Sequence, residues 1–153
     1  MTVPPRHPVD VFLLLVDDRD ILLALRQNTG YADGLWNLPS GKLEFGEDAR
    51  TGVIREAREE VGIRLRPERV RLAATVHHLA SPTHARLGLV FAAKFAPAEH
   101  GEPANTEPHK CGGIDWFPAT ALPSNMSHYS ADCIQAYLDG APFRLSGWPP
   151  PTG

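Results

Sequence analysis

An α/β chain folded in layers is what this sequence predicts, and three sets of residues carry that reading. Val9–Val16 (VDVFLLLV) and Ile21–Leu25 (ILLAL) are short apolar runs separated by Asp-Asp-Arg-Asp. Between residues 47 and 62 apolar side chains recur at helical spacing opposite a row of carboxylates. Val70–Leu79 and Leu87–Phe95 are two further runs of strand length. Strands before and after a crossing helix, with another helix near the end, argue for helices packed on a sheet.

Taken in order, residues 1–8 hold three prolines and are expected to form an extended N-terminal arm. The two apolar runs that follow, with turn chemistry between them, read as a β-hairpin. Gln27–Gly34 (QNTGYADG) is a polar, glycine-punctuated loop, and Leu35–Leu38 a short strand stopped by Pro39. The helix should start near Glu47 or Asp48, whose charges favour a helix N-terminus, and end at Val61-Gly62, where glycine can take the left-handed stop. The two later runs read as long strands joined by Ser-Pro-Thr-His-Ala. Residues 97–111 are expected to be a long loop, Gly113–Phe117 a last short strand, and Ala131–Leu138 a second helix. Residues 141–153, rich in proline, are expected to be an irregular tail, which leaves one domain over 9–140.

A chain of 153 residues with 42% hydrophobic and 22% charged content can bury a core as one domain. Its net charge of −3 gives no support for a surface that coats nucleic acid. The N-terminal MTVPPRHPVD lacks the pattern of a signal peptide, and no apolar run approaches membrane length. Cys111 and Cys133 make neither a CxxC pair nor a disulfide framework, which fits a reducing, cytoplasmic location. A homodimer is the default if the chain associates.

The chemistry concentrates in Gly41–Ile63, GKLEFGEDARTGVIREAREEVGI. On a helix Glu56 shares a face with both Glu59 and Glu60, while Ala49, Val53 and Ala57, flanked by Ile54 and Val61, form the apolar side. Three carboxylates on one stripe repel one another unless a cation sits among them. Hard oxygen donors in that number suit Mg²⁺, with Mn²⁺ as a substitute, better than zinc.

Gly41, Glu47, the run Arg55-Glu56-Ala57, then Glu59-Glu60 and Gly62-Ile63 stand at spacings that resemble a complete Nudix box. The resemblance implies an α/β/α sandwich around a mixed sheet and a hydrolase that splits phosphoanhydride bonds in nucleoside diphosphate derivatives. It implies Glu56, Glu59 and Glu60 as metal ligands, with the main-chain carbonyl of Ser40 as a further one. Arg55 and Glu47 would form an ion pair that orients the helix. Ser40 replaces a glycine that many members carry, and a carbonyl ligand survives that change. For the base that activates water, the late loop offers Glu107 first, Glu102 second and Glu99, and a box carboxylate, Glu59 or Glu60, is the other choice.

On the substrate side Arg26 falls where MutT-like members place a cation against phosphate. Asn37 and Tyr31 match a base-reading asparagine and a stacking aromatic of the members that hydrolyse oxidised purine nucleotides. Asn125 matches another base-reading asparagine, whereas the paired aspartates of the animal enzymes have no counterpart around His128–Ala131. Trp36 reads as core packing. A small-molecule nucleotide, rather than nucleic acid or membrane, is the expected partner. A module that senses nucleotides without turnover is the competing class, but such modules usually lose box carboxylates, and all are present here. No Walker loop or Ser-nucleophile elbow occurs, and His77 and His78 alternate across a strand, so they cannot share one metal.

Overall fold

A computed structural model describes residues 2–153. The strands are β1 (Val9–Asp17), β2 (Asp20–Arg26), β3 (Trp36–Asn37), β4 (Ser40–Lys42), β5 (Arg71–Ser81), β6 (His84–Lys94), β7 (Cys111–Pro118) and β8 (Phe143–Ser146). The helices are α1 (Ala49–Val61), the single-turn α2 (Pro97–His100) and α3 (His128–Leu138). One mixed sheet runs β3-β2-β1-β6-β5-β8, with β4 added to β1 and β7 to β2.

β1 explains why its sequence is an unbroken apolar run rather than an alternating one. It lies inside the sheet, parallel to β6 over eight residue pairs, and it is covered on both faces. Val11, Leu13 and Leu15 join Val53, Ala57 and Val61 of α1 in one core. Phe12 and Leu14 point the other way, into a second core with Tyr129, Cys133 and Ile134 of α3. Period-two alternation thus splits one strand between two layers, which is the predicted α/β/α sandwich.

α1 begins and ends where its caps predict. Asp48 is the N-cap, its carboxylate accepting from the Thr51 N–H at 3.0 Å. Gly62 takes φ 70°, and its N–H and that of Ile63 close on Arg58 and Ala57 carbonyls, a left-handed stop that only glycine makes cheaply. The first hairpin is also as expected, with Val16 opposite Ile21 and Asp17 opposite Asp20.

Four expectations are corrected. The tail is not irregular: Phe143–Ser146 pairs in parallel with Thr75–His78, which satisfies the outer edge of β5, and Trp148 Nε1 donates to the His77 carbonyl at 2.9 Å. The β5–β6 connection is shorter than Ser-Pro-Thr-His-Ala, because Ser81 and His84 already pair and only Pro82-Thr83 turns. Residues 97–111 are not all loop, since Pro97 starts the α2 turn from a position that loses no hydrogen bond. α3 starts at His128 rather than at Ala131, after Ser127.

Candidate active site

Glu56 and Glu60 lie one helical turn apart on α1, facing β4. The Ser40 N–H donates to Glu60 Oε2 at 3.0 Å. In a strand the N–H and C=O of one residue point to the same side, so the Ser40 carbonyl is turned toward the same carboxylates. Gly41 follows it, and a Cβ there would overlap the Glu56 carboxyl group where it now sits. That close approach of strand to helix is what the glycine of the box accomplishes.

Arg55 organises the rest. Its Nε and Nη2 donate to Glu47 Oε2 and Oε1 at 3.0 and 2.7 Å, a forked pair, and its Nη1 reaches Glu56 at 2.7 Å and Glu59 at 3.2 Å. The predicted Arg55–Glu47 pair is therefore present, and the same guanidinium also orients two of the expected ligands. Hydrogen bonding from Arg55 holds the Glu47 carboxyl below its usual range and raises the Arg55 pKa in turn. Glu47 also accepts from the Glu44 N–H at 2.9 Å, which fixes the turn leading into α1. Arg55 acts through carboxylates, as a positioning residue.

The remaining charge is not balanced. Burial, reinforced by Glu56 and Glu107 nearby, pushes the Glu60 carboxyl up to about 8, against the opposing pull of the Ser40 N–H and Arg26. Burial likewise raises Glu56, with Arg55 opposing. Carboxylates that resist ionising while packed against one another form a donor set that a hard divalent cation suits. Among the described residues no three ligating side chains converge in a ready-made cage; Arg55 and the Ser40 N–H occupy oxygens of Glu56, Glu59 and Glu60 instead.

Among the described residues, Glu107 is the acid outside the box whose charge acts most on Glu56 and Glu60. Its loop is fastened to α1 and β2: Thr106 Oγ1 donates to the Glu59 carbonyl at 2.5 Å, Gln27 Nε2 to the Pro108 carbonyl at 2.8 Å, and Asn28 Nδ2 to the His109 carbonyl at 3.1 Å. Glu99 is instead taken by Arg69 at 2.6 Å, and Glu102 is exposed with no side-chain partner among the described residues. Both are set aside as bases for that reason.

Among the expected substrate residues, Arg26 is the one tied to these carboxylates. Arg26 is near enough to favour the Glu60 carboxylate, and its Nε donates to the Tyr31 carbonyl at 3.0 Å with the Tyr31 ring 5.7 Å from the guanidinium carbon. Tyr31 is 61% exposed, with the Arg26 guanidinium over one face of its ring. Asn37 is buried on β3, its Nδ2 donating to the Leu35 carbonyl at 2.9 Å. Asn125 Nδ2 donates to the Gly34 carbonyl at 3.0 Å, and its own carbonyl accepts from the Trp36 N–H, which ties the loop before α3 to β3. Trp36 packs edge-on against Phe117, as expected of a core residue.

Sequence reasoning missed the fasteners Gln27, Asn28 and Thr106, which carry no spacing signal. It also missed a buried network in which Arg86 forks onto Asp10 at 2.7 Å through two nitrogens and the Tyr129 hydroxyl donates to Asp10 at 3.0 Å. Charged residues inside two otherwise apolar strands were the available clue.

Comparison with known proteins agrees with this geometry. The NUDIX domain family matches residues 5–137. A MutT-like protein of Streptomyces ambofaciens is 32% identical over 140 residues, covering 92% of this chain and 82% of that protein. Human 8-oxo-dGDP phosphatase NUDT18 is 29% identical over 121 residues, which are 74% of this chain but 33% of that protein, so the chain spans about a third of its length. The crystal structure of a MutT NUDIX hydrolase from Burkholderia pseudomallei matches with a TM-score of 0.75 at 29% identity, over 86% of this chain and 98% of that one.

Proposed function

The chain belongs to the Nudix family, whose members hydrolyse phosphoanhydride bonds, and from that premise we propose a Mg²⁺-dependent pyrophosphohydrolase of nucleoside triphosphates. The observation that carries the reading is the pair of resisting carboxylates, Glu56 and Glu60, packed beside Ser40 with Glu107 and Arg26 close by. Glu56, Glu59, Glu60 and the Ser40 carbonyl are the groups that would hold Mg²⁺. When bound, the ion supplies charge at the diphosphate linkage and acidifies the attacking water.

The protein's own part is positioning and proton transfer. Arg55 sets the helix face by gripping Glu47 and steers Glu56 and Glu59. Arg26 meets substrate phosphate with its planar fork, and the exposed Tyr31 ring offers a base its face. Asn37, whose amide oxygen accepts from no protein donor among the described residues, supplies an acceptor for a base edge. Glu107 takes the proton of the attacking water, and a box glutamate is the alternative base.

A second reading keeps the chemistry and changes the substrate to another nucleoside diphosphate derivative. The human relative, named as an 8-oxo-dGDP phosphatase, favours it. Product analysis on a panel separates the two: a triphosphatase of this type releases pyrophosphate and a monophosphate, whereas the second releases orthophosphate or two monophosphates. Absence of any phosphoanhydride cleavage across the panel with Mg²⁺ would overturn both.

A further inference from the structure

A cleft of about 610 Å³ opens at the far ends of β1 and β6, beyond the C-terminus of α1. None of Glu56, Glu59, Glu60 or Glu107 lines it. Five basic side chains do: Arg64, Arg66, Arg69, Arg71 and Lys94. That is five of the fifteen in a chain whose net charge is −3. Three carboxylates share the cleft, Asp18, Glu68 and Glu99, so cations are in excess. Only Arg69 is neutralised, by Glu99 at 2.6 Å; the other four cations form no ion pair among the described residues.

The placement is rigid. Leu65 and Val70 are buried in the core beneath α1, and the Arg64 N–H is held by the His100 carbonyl at 3.0 Å. Arg64 and Arg66 flank the buried Leu65 and are both exposed. The Arg69 N–H then closes a turn on the Arg66 carbonyl at 3.0 Å, and Arg71 opens β5 past the buried Val70. The sequence RLRPERVR thus sets four arginines around two core anchors, all of them lining the cleft. Lys94, at the end of β6, lines the same cleft two residues on from Ala92, the pairing partner of Arg71.

Like charges gathered over apolar walls repel one another and focus a positive potential into the concavity. Guanidinium forks match phosphate oxygens bidentately, where lysines would offer only point charges. We propose that this cleft binds a di- or triphosphate anion, either free inorganic polyphosphate or the phosphate tail of a nucleotide. The site is separate from the carboxylate groove and uses none of the residues assigned to hydrolysis.

The test is calorimetric titration of the full chain with inorganic tripolyphosphate, and in parallel with a non-hydrolysable nucleoside triphosphate, both with chelator present. Without a divalent ion the glutamate groove repels polyanions, which leaves the arginine cleft to be read. The expected result is saturable binding that weakens with added salt and by about tenfold or more in Arg64→Gln/Arg71→Gln, with Arg26→Gln unchanged. The exposed positions and retained side-chain stems of the double variant should leave its melting curve in place. If that variant fails to fold, Arg66→Gln/Lys94→Gln gives the same reading from two other cations of the lining. Equal affinity of the two ligands identifies free polyphosphate as sufficient, and tighter binding of the nucleotide identifies the nucleotide. No binding to the unaltered chain, equal binding in the cleft variants, or loss confined to Arg26→Gln would each overturn the proposal.

Discussion

Glu60 holds the most perturbed carboxyl of the box, and the chemistry follows from that one environment. Glu60→Gln keeps the volume and the Ser40 contact while removing the charge that a metal requires. Turnover should fall on the order of 10²–10³-fold, as expected for several kcal/mol of lost charge stabilisation, while the melting temperature holds or rises. Near-normal kcat in that variant contradicts the assigned role. Asn37→Ala tests the substrate side: the ratio of kcat/KM between purine and pyrimidine triphosphates should change, and an equal loss on every base counts against base reading. Both positions stood out in the sequence, because the resemblance to the box marks the glutamates by their spacing and Asn37 lies in a run leading into it. Glu107 was legible only as one of three loop acids. The selection came from Gln27, Asn28 and Thr106, whose hydrogen bonds to distant backbone leave no periodic trace in a sequence.

Among the elements, α1 was readable at both ends because its caps are chemical: an aspartate that binds the Thr51 N–H and a glycine at positive φ. β8 was not readable, since four residues among prolines carry no pattern of their own. It exists because the outer edge of β5 needs a partner, a tertiary cause. Three side-chain links lock it: His78 Nδ1 with Ser146 at 2.9 Å, Ser146 with Asp132 at 2.5 Å, and Arg144 with Asp132 at 3.2 Å. A chain ending at residue 141 should therefore melt at lower temperature and associate through the uncovered β5 edge. Thermal unfolding and size-exclusion chromatography check this; an unchanged melting point and a single unchanged peak contradict it.

At the scale of the molecule, β1 divides two cores, and the α1 layer brings its carboxylates against β4. The sequence showed this layering through a strand apolar on both sides and a helix apolar on one. The cost of the arrangement is electrostatic and has a sign. Folded Glu60 keeps its proton to about 8, whereas an unfolded glutamate releases it near 4.5, so the metal-free fold binds more protons than the unfolded chain between those values. Its stability should fall as pH rises through that window, and Glu56, also raised, adds in the same direction. Glu47, lowered by Arg55, works oppositely at lower pH, and His78, lowered by burial, works oppositely below 6.5, so the decline is read above that value. Melting in chelator from pH 6.5 to about 8 should show the decline, flattened in Glu60→Gln and by added Mg²⁺; a flat profile for the unaltered chain contradicts the electrostatic account. The central claim is that this acidic face holds divalent ions so that water can split a phosphoanhydride. ³¹P NMR of a nucleoside triphosphate incubated with the protein tests it most directly. With Mg²⁺, pyrophosphate and monophosphate should appear, and both should vanish with chelator or in Glu56→Gln/Glu60→Gln; product that persists under either condition contradicts the claim.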